Sequence, residues 1–187
     1  MRRLLVFNQI SLDGSFVDDH GDMSWAHNPV ADDEWLTFVE GNASGDSLLV
    51  FGRVTHDLMA SYWPTPAAAA HDPVVAERMN TASKLVFSRT MRASPWANTE
   101  VVSSDPVAEL RRRKAEPGPD RVILGSGTLI GPLTQERLID EYQVVVVPIA
   151  LGEGRPMFTG LDVRSNLRMM RVRSFANGAV VIWYEPA

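Results

Sequence analysis

Five short runs of uninterrupted apolar residues, each closed by turn-forming residues, set the main limit on how this chain can fold. They occupy positions 4–7, 48–51, 85–87, 122–124 and 144–147. A strand with one wet face alternates apolar and polar residues. A run without alternation reads as a strand covered on both faces, as in a mainly parallel sheet flanked by helices. Helical segments are expected between the runs. Positions 32–39 open with acids, which suit the positive end of a helix dipole, and 54–61 form a second segment. Positions 106–114 follow Asp105 as N-cap, with Pro106 in the first turn and basic residues at the end. Positions 128–137 are a fourth segment, interrupted by Gly131 and Pro132.

The C-terminal region has a different pattern. Residues 167–175 alternate with period two, 179–184 form another strand, and Asn177-Gly178 between them is a hairpin signal. The expected architecture is therefore three-layer α/β, with a central mixed, mainly parallel sheet and a C-terminal antiparallel hairpin. Loops are expected at 18–30, 63–73, 116–120 and 151–158. With 187 residues, no internal repeat and no linker, the sequence predicts a single domain over 1–187.

Composition removes several function classes. The formal net charge is -5 with scattered basic residues, which argues against a binder of nucleic acid backbone. The absence of cysteine excludes disulfides, thiolate nucleophiles and cysteine-ligated metals. His20, His27, His56 and His71 have no metal-ligand spacing and are expected on the surface or in loops, so no metal site is expected. The N-terminal apolar run is too short for a signal peptide, and no run reaches the length of a membrane span. A cytoplasmic protein without membrane partners is expected. There is no Gly-x-Ser-x-Gly elbow of a serine hydrolase. Residues 111–114, Arg-Arg-Arg-Lys, read as the basic end of a helix in solvent.

Three of the apolar runs end alike. Phe51 leads into Gly52-Arg53-Val54-Thr55, Phe87 into Ser88-Arg89-Thr90, and Leu124 into Gly125-Ser126-Gly127-Thr128. Glycine lets backbone approach a phosphate, a following helix N-terminus offers N–H donors, and a guanidinium grips phosphate through two hydrogen bonds. In open α/β sheets ligands bind at the carboxyl ends of strands, where these segments would gather. The sum is a cradle for a ligand with several phosphates, and the two arginines favour the extra 2′-phosphate of NADP. Taken singly, each segment is ordinary loop chemistry. Gly125-Ser126-Gly127 also lacks the third glycine of the Rossmann fingerprint, since Ile130 stands there.

These segments resemble, in order, the dihydrofolate-reductase-like superfamily, in the branch of the riboflavin-biosynthesis reductase domain. Ser11-Leu12-Asp13-Gly14 follows the first strand. Then come Gly52-Arg53-Val54-Thr55, the stretch 84–90, Gly125-Ser126-Gly127-Thr128-Leu129 and the stretch 148–158, Pro148-Ile149-Ala150-Leu151-Gly152-Glu153-Gly154-Arg155-Pro156-Met157-Phe158. The resemblance implies an eight-stranded mixed sheet with NADPH across its strand ends. It implies that Gly52, Arg53 and Thr55 meet the cofactor phosphates, and that Ser88, Arg89 and Thr90 hold the adenosine end. It places Gly125, Ser126, Gly127, Thr128 and Leu129 around the pyrophosphate, and Ser11 and Gly14 beside the nicotinamide. The implied activity is NADPH-dependent reduction of a pterin-like or pyrimidine-like heterocycle, like 5-amino-6-(5-phosphoribosylamino)uracil reductase. A dihydrofolate reductase proper and a non-catalytic NADPH-binding module are the alternatives. Relatives pair as homodimers through C-terminal strands, so a homodimer is implied as well.

A carboxylate early in the second element anchors the pterin in folate reductases, and here Asp32, Asp33 and Glu34 precede Trp35. Alignment through the tryptophan favours Asp32 as the proton-relay acid, the helical register leaves Asp33 and Glu34 open, and Asp13 is the second candidate. The same residues also read as helix-start acids and as an Asx turn, respectively. Trp35 or Trp63 is the expected aromatic wall of the pocket.

Overall fold

All five apolar runs are strands of one sheet, and their residues divide between its two faces. The computed structural model describes residues 2–26, 32–43 and 45–187. The sheet has eight strands, ordered β5-β4-β3-β6-β1-β7-β10-β9. They are β1 (Leu4–Ile10), β3 (Leu48–Gly52), β4 (Lys84–Phe87), β5 (Thr99–Val102), β6 (Arg121–Leu124), β7 (Glu141–Val146), β9 (Leu167–Ser174) and β10 (Val180–Pro186). The six strands from β5 to β7 run parallel, with Leu4 opposite Arg121 and Leu5 opposite Glu141 on the two sides of β1. Strands β7, β10 and β9 pair antiparallel, and the Asn177-Gly178 turn joins the last two. The fold is thus the expected mixed α/β sheet with a C-terminal hairpin.

The core shows why the runs lack alternation. Leu4, Val6, Val50, Leu85 and Ile123 pack on one face, with Ile130 and Leu133 from α6 (Gly127–Gln135) and Leu110 from α5 (Pro106–Ala115). Their neighbours Leu49, Phe51 and Val86 pack on the other, with Met79 from α4 (Pro73–Thr81) and Met59 from α2 (Arg53–Tyr62). At the hairpin end Val145, Val181 and Trp183 meet Trp35 and Phe38 of α1 (Asp33–Ala43). Each such side chain, fully covered, contributes about 1.5–3 kcal/mol. Gly131 lets α6 lie directly on the chain at Thr159, whose carbonyl oxygen would collide with a Cβ there.

Several expectations are corrected. The 63–73 segment is not all loop but carries α3 (Pro66–His71), capped by the Thr65 hydroxyl, and α4 follows at once. Pro66 and Pro73 both stand in first turns, where the missing N–H costs nothing. Strand β5 escapes the apolar-run criterion because, at the sheet edge, its four residues are only half covered or exposed. The 151–158 segment includes β8 (Arg155–Pro156), paired with β2 (Ser15–Val17) in a small second sheet. Part of the 18–30 stretch is a 3-10 turn, Ser24–Ala26, and the rest from 27 lies outside the described residues.

His56 is buried on α2 rather than exposed, hydrogen-bonded to Asp57 and Ser94, whereas His20 and His71 are exposed as expected. His27 lies outside the described residues. The basic run divides: Arg111 and Arg112 face solvent, but Arg113 is covered between Glu100 and Glu109, and Lys114 is covered on Asp140. No described helix is long and apolar enough to cross a membrane, and no group of metal-ligating residues occurs among the described residues.

Candidate active site

Parallel strands end on one edge of the sheet, and four of those ends open into one cavity of about 640 Å³. At β3 the chain passes from Gly52 straight into α2, and at β6 it passes through Gly125 and Ser126 into α6. At β4 it continues through Ser88 and Arg89, and at β5 through Ser103 and Ser104 to α5. Of the residues expected to hold a cofactor, Gly52, Arg53, Thr55, Ser88, Arg89, Ser126, Gly127, Thr128 and Leu129 line this cavity together.

Hydrogen bonds lock the strand ends to one another. The Gly52 N–H donates to Ser126 Oγ at 2.6 Å, and the Ser126 N–H donates to Thr55 Oγ1 at 3.2 Å. The Gly125 N–H donates to Asn8 Oδ1 at 2.6 Å, a buried latch on β1 that no sequence signal marked. Gly125 has φ +64°, and a Cβ there would stand 2.6 Å from Thr55 Cγ2. Ser126 also takes a left-handed conformation, at φ 58°, which costs a residue with a Cβ about 1–3 kcal/mol. The reward for this tight turn is position: it aims the first turn of α6 at the cavity.

Neither α2 nor α6 has a side-chain cap, whereas α3 and α5 do. The first-turn N–H groups of a helix have no partner within it, and the dipole makes that end attractive to anions. The charges agree. Arg53, Arg89 and Arg155 line the cavity, and among the described residues no Asp or Glu does. Arg53 is steadied by Asp57 at 3.1 Å. In a chain of net charge -5, this is a local excess of positive charge. The donor set suits a polyphosphate ligand.

The other expected residues stand outside the lining. Thr90 donates its N–H to Ser88 Oγ at 3.2 Å, which shapes the turn after β4. Ser11 is buried and Gly14 has φ +87°, and both belong to the turn between β1 and β2. Asp13 accepts from Ser11 Oγ at 2.6 Å, from the Gly152 N–H at 2.7 Å and from the Leu151 N–H at 3.2 Å. These donors, the Ser11 hydroxyl foremost, pull its pKa down to about 2. Asp32 accepts from the N–H groups of Trp35, at 2.9 Å, and Asn177, at 3.0 Å. These bonds, chiefly that from Trp35, lower its pKa. Both are anions with structural partners: one ties two loops, the other caps α1 onto the C-terminal hairpin. Asp33 is exposed, and Glu34 pairs with Arg173.

The aromatic wall is also different from expectation. Trp35 packs on Phe38 and Phe175, and Trp63 packs on Tyr62 with its indole N–H on Met59 Sδ. Phe16 and Phe87 line the cavity instead, with Val17, Met23 and Arg155 at the β2–β8 side. The period-two alternation that marks a half-buried strand is absent from the three residues of β2, all of them buried, so Phe16 had no signal. Ser103 and Ser104 were missed together with β5.

Comparison with known proteins gives the family. The model of the RibD C-terminal domain matches residues 2–181. The protein YyaP of Bacillus subtilis (strain 168) is 29% identical over 185 residues, covering 98% of this chain and 95% of YyaP. A diaminohydroxyphosphoribosylaminopyrimidine deaminase/5-amino-6-(5-phosphoribosylamino)uracil reductase from Thermotoga maritima superposes with a TM-score of 0.66 at 16% identity. It is covered over 57% of its length, and this chain over 100%. A dihydrofolate reductase from Enterococcus faecalis, complexed with NADP(H), superposes with a TM-score of 0.61 at 15% identity, over 98% of this chain and 96% of that one. The chain belongs to the RibD C-terminal domain family and has the dihydrofolate-reductase-like fold.

Proposed function

We propose that this protein is an NADPH-dependent reductase of a pterin-like or pyrimidine-like heterocycle, working in the cytoplasm as a homodimer. The observation that carries the reading is the cavity at the strand ends, with Arg53 and Arg89, two uncapped helices and no acid among its described lining. Arg89, with Ser88, Ser103 and Ser104, would hold the 2′-phosphate end, and Arg53 and the first turns of α2 and α6 would hold the diphosphate. The family and the reductase named among its structural relatives support the reaction class.

When bound, the nicotinamide supplies the hydride chemistry. The chain's own part is to orient the two rings, with Phe16, Val17, Met23 and Leu129 as apolar walls. Asp13 and Asp32, held as anions outside the lining, serve to fix loop and helix positions. The proton for the acceptor would come from solvent.

Titration with NADPH and NADH, followed by intrinsic fluorescence, tests this. NADPH should bind at least about tenfold tighter than NADH, and Arg89→Ala should remove most of that preference, as loss of a charge-assisted phosphate contact does. No binding of either dinucleotide at millimolar concentration would sink the reading.

A further inference from the structure

The three arginines of the cavity stand over different strands, and the strand order gives them different tasks. From β5 through β4, β3 and β6 to β1 there are four steps in the sheet, about 19 Å in all at the usual strand spacing of about 4.8 Å. Arg89 and Ser103–Ser104 stand at the β4–β5 end, and Arg53 over β3, next to the first turn of α6 over β6. Arg155 lies beyond. It is in β8, which pairs with β2, the strand that follows β1 directly. It rests against Gly21, where a Cβ would stand 3.0 Å from its Nη2 atom. Among the described residues its side chain has no ion pair or hydrogen bond, although Asp57 steadies Arg53.

A dinucleotide with its adenosine phosphate at β4–β5 and its diphosphate over α2 and α6 occupies two arginines and leaves Arg155 beside the reacting end. We infer that Arg155 is a specificity-determining residue that grips an anionic group of the acceptor, a phosphate or a carboxylate. The acceptor's heterocycle lies against the apolar wall of Phe16, Val17 and Met23. A planar guanidinium without a hydrogen-bond partner among the described residues takes either oxyanion through paired hydrogen bonds. The inference rests on the reductase reading, since it needs the cofactor to occupy the other two arginines.

The test uses protein saturated with NADP+, titrated calorimetrically with ribose 5-phosphate, with 4-aminobenzoylglutamate as the carboxylate, and with ribose as the neutral control. One of the anions should bind and ribose should not. Arg155→Ala should weaken that anion at least about tenfold, and Arg155→Lys should restore part of the loss, since the charge persists without the fork. NADPH affinity should stay within about twofold in both variants, as expected of a residue that does not touch the cofactor. The inference is overturned if neither anion binds, if Arg155→Ala leaves anion binding intact, or if it weakens NADPH as much as Arg89→Ala does. Failure of the wild type to bind NADPH at all is a different result, which removes the reductase reading beneath it.

Discussion

The Ser126 hydroxyl accepts the Gly52 N–H at 2.6 Å and so joins the ends of β3 and β6, strands that lie side by side but are 74 residues apart in the chain. The same hydroxyl lies 3.2 Å from Thr55 Oγ1, which in turn accepts the Ser126 N–H. Three residues from two crossovers thus hold one another, and two helix N-termini face one cavity as a result. A polyphosphate needs donors fixed before it arrives, because ordering them on binding would cost affinity.

Gly125→Ala tests this interlock. Alanine at φ +64° is strained by about 1–3 kcal/mol, and its Cβ would press on Thr55 Cγ2 from 2.6 Å. Relief requires Thr55 to move, which breaks its bond to the Ser126 N–H. The variant should lose about 3 kcal/mol in urea unfolding, summing strain and overpacking. It should also bind NADPH much more weakly than an equally destabilised core variant such as Ile123→Ala. Equal binding by the two would show that the turn is a stability device only.

The carboxylates predict the opposite division. Asp32 holds the N–H groups of Trp35 and Asn177, so Asp32→Ala should lower the unfolding temperature through loss of the α1 cap and of its tie to the hairpin. NADPH affinity should change by less than about twofold, as for a distant, independent site. A large loss of turnover with stability intact would instead return Asp32 to the chemistry. Asp13 gives a pH signature. Its folded pKa of about 2 is below the usual carboxylate value, so its contribution to stability is complete above pH 4 and is lost as pH falls towards 2. In Asp13→Asn the unfolding midpoint should fall less steeply between pH 4 and 2 than in the wild type. An unchanged slope would show that the loop tie does not contribute.

The parts legible in the sequence were those fixed locally. Uninterrupted apolar runs marked five strands because coverage on both faces leaves no reason for alternation, and Asn177-Gly178 marked the hairpin because its turn needs positive φ, seen at Gly178. Nine cofactor candidates met in one cavity because the strand-end rule places them there before any contact is known. What stayed hidden depends on tertiary partners. Asn8 and Phe16 act across the fold, with nothing in their neighbourhood to mark them. Asp32 reads both as a catalytic acid and as a cap, and its two N–H partners, Trp35 and Asn177, come together only in the fold.

Strand β9 bears on the proposed homodimer. It is the outermost strand, paired only with β10, and no residue in it is buried. Met169, Met170 and Val172 are each more than half exposed, an apolar stretch concentrated on one edge strand. The arginines beside and between them are already engaged: Arg168 with Glu185, Arg173 with Glu34, and Arg171 over the Trp183 ring at 3.7 Å. They are therefore not available to keep a second apolar strand away, as charged residues on a free edge would. A two-fold axis near the middle of β9 would set this surface on itself, the self-complementary arrangement that a C2 dimer requires. Val172→Asp, opposite Ile182, would then place two carboxylates close together at the axis. Sedimentation equilibrium should give a dimer for the wild type and a monomer for the variant, with NADPH binding retained in both because the cavity lies at the strand ends. A wild-type monomer at tens of micromolar would remove the homodimer from the proposal and leave β9 as an exposed edge whose arginines serve its own sheet.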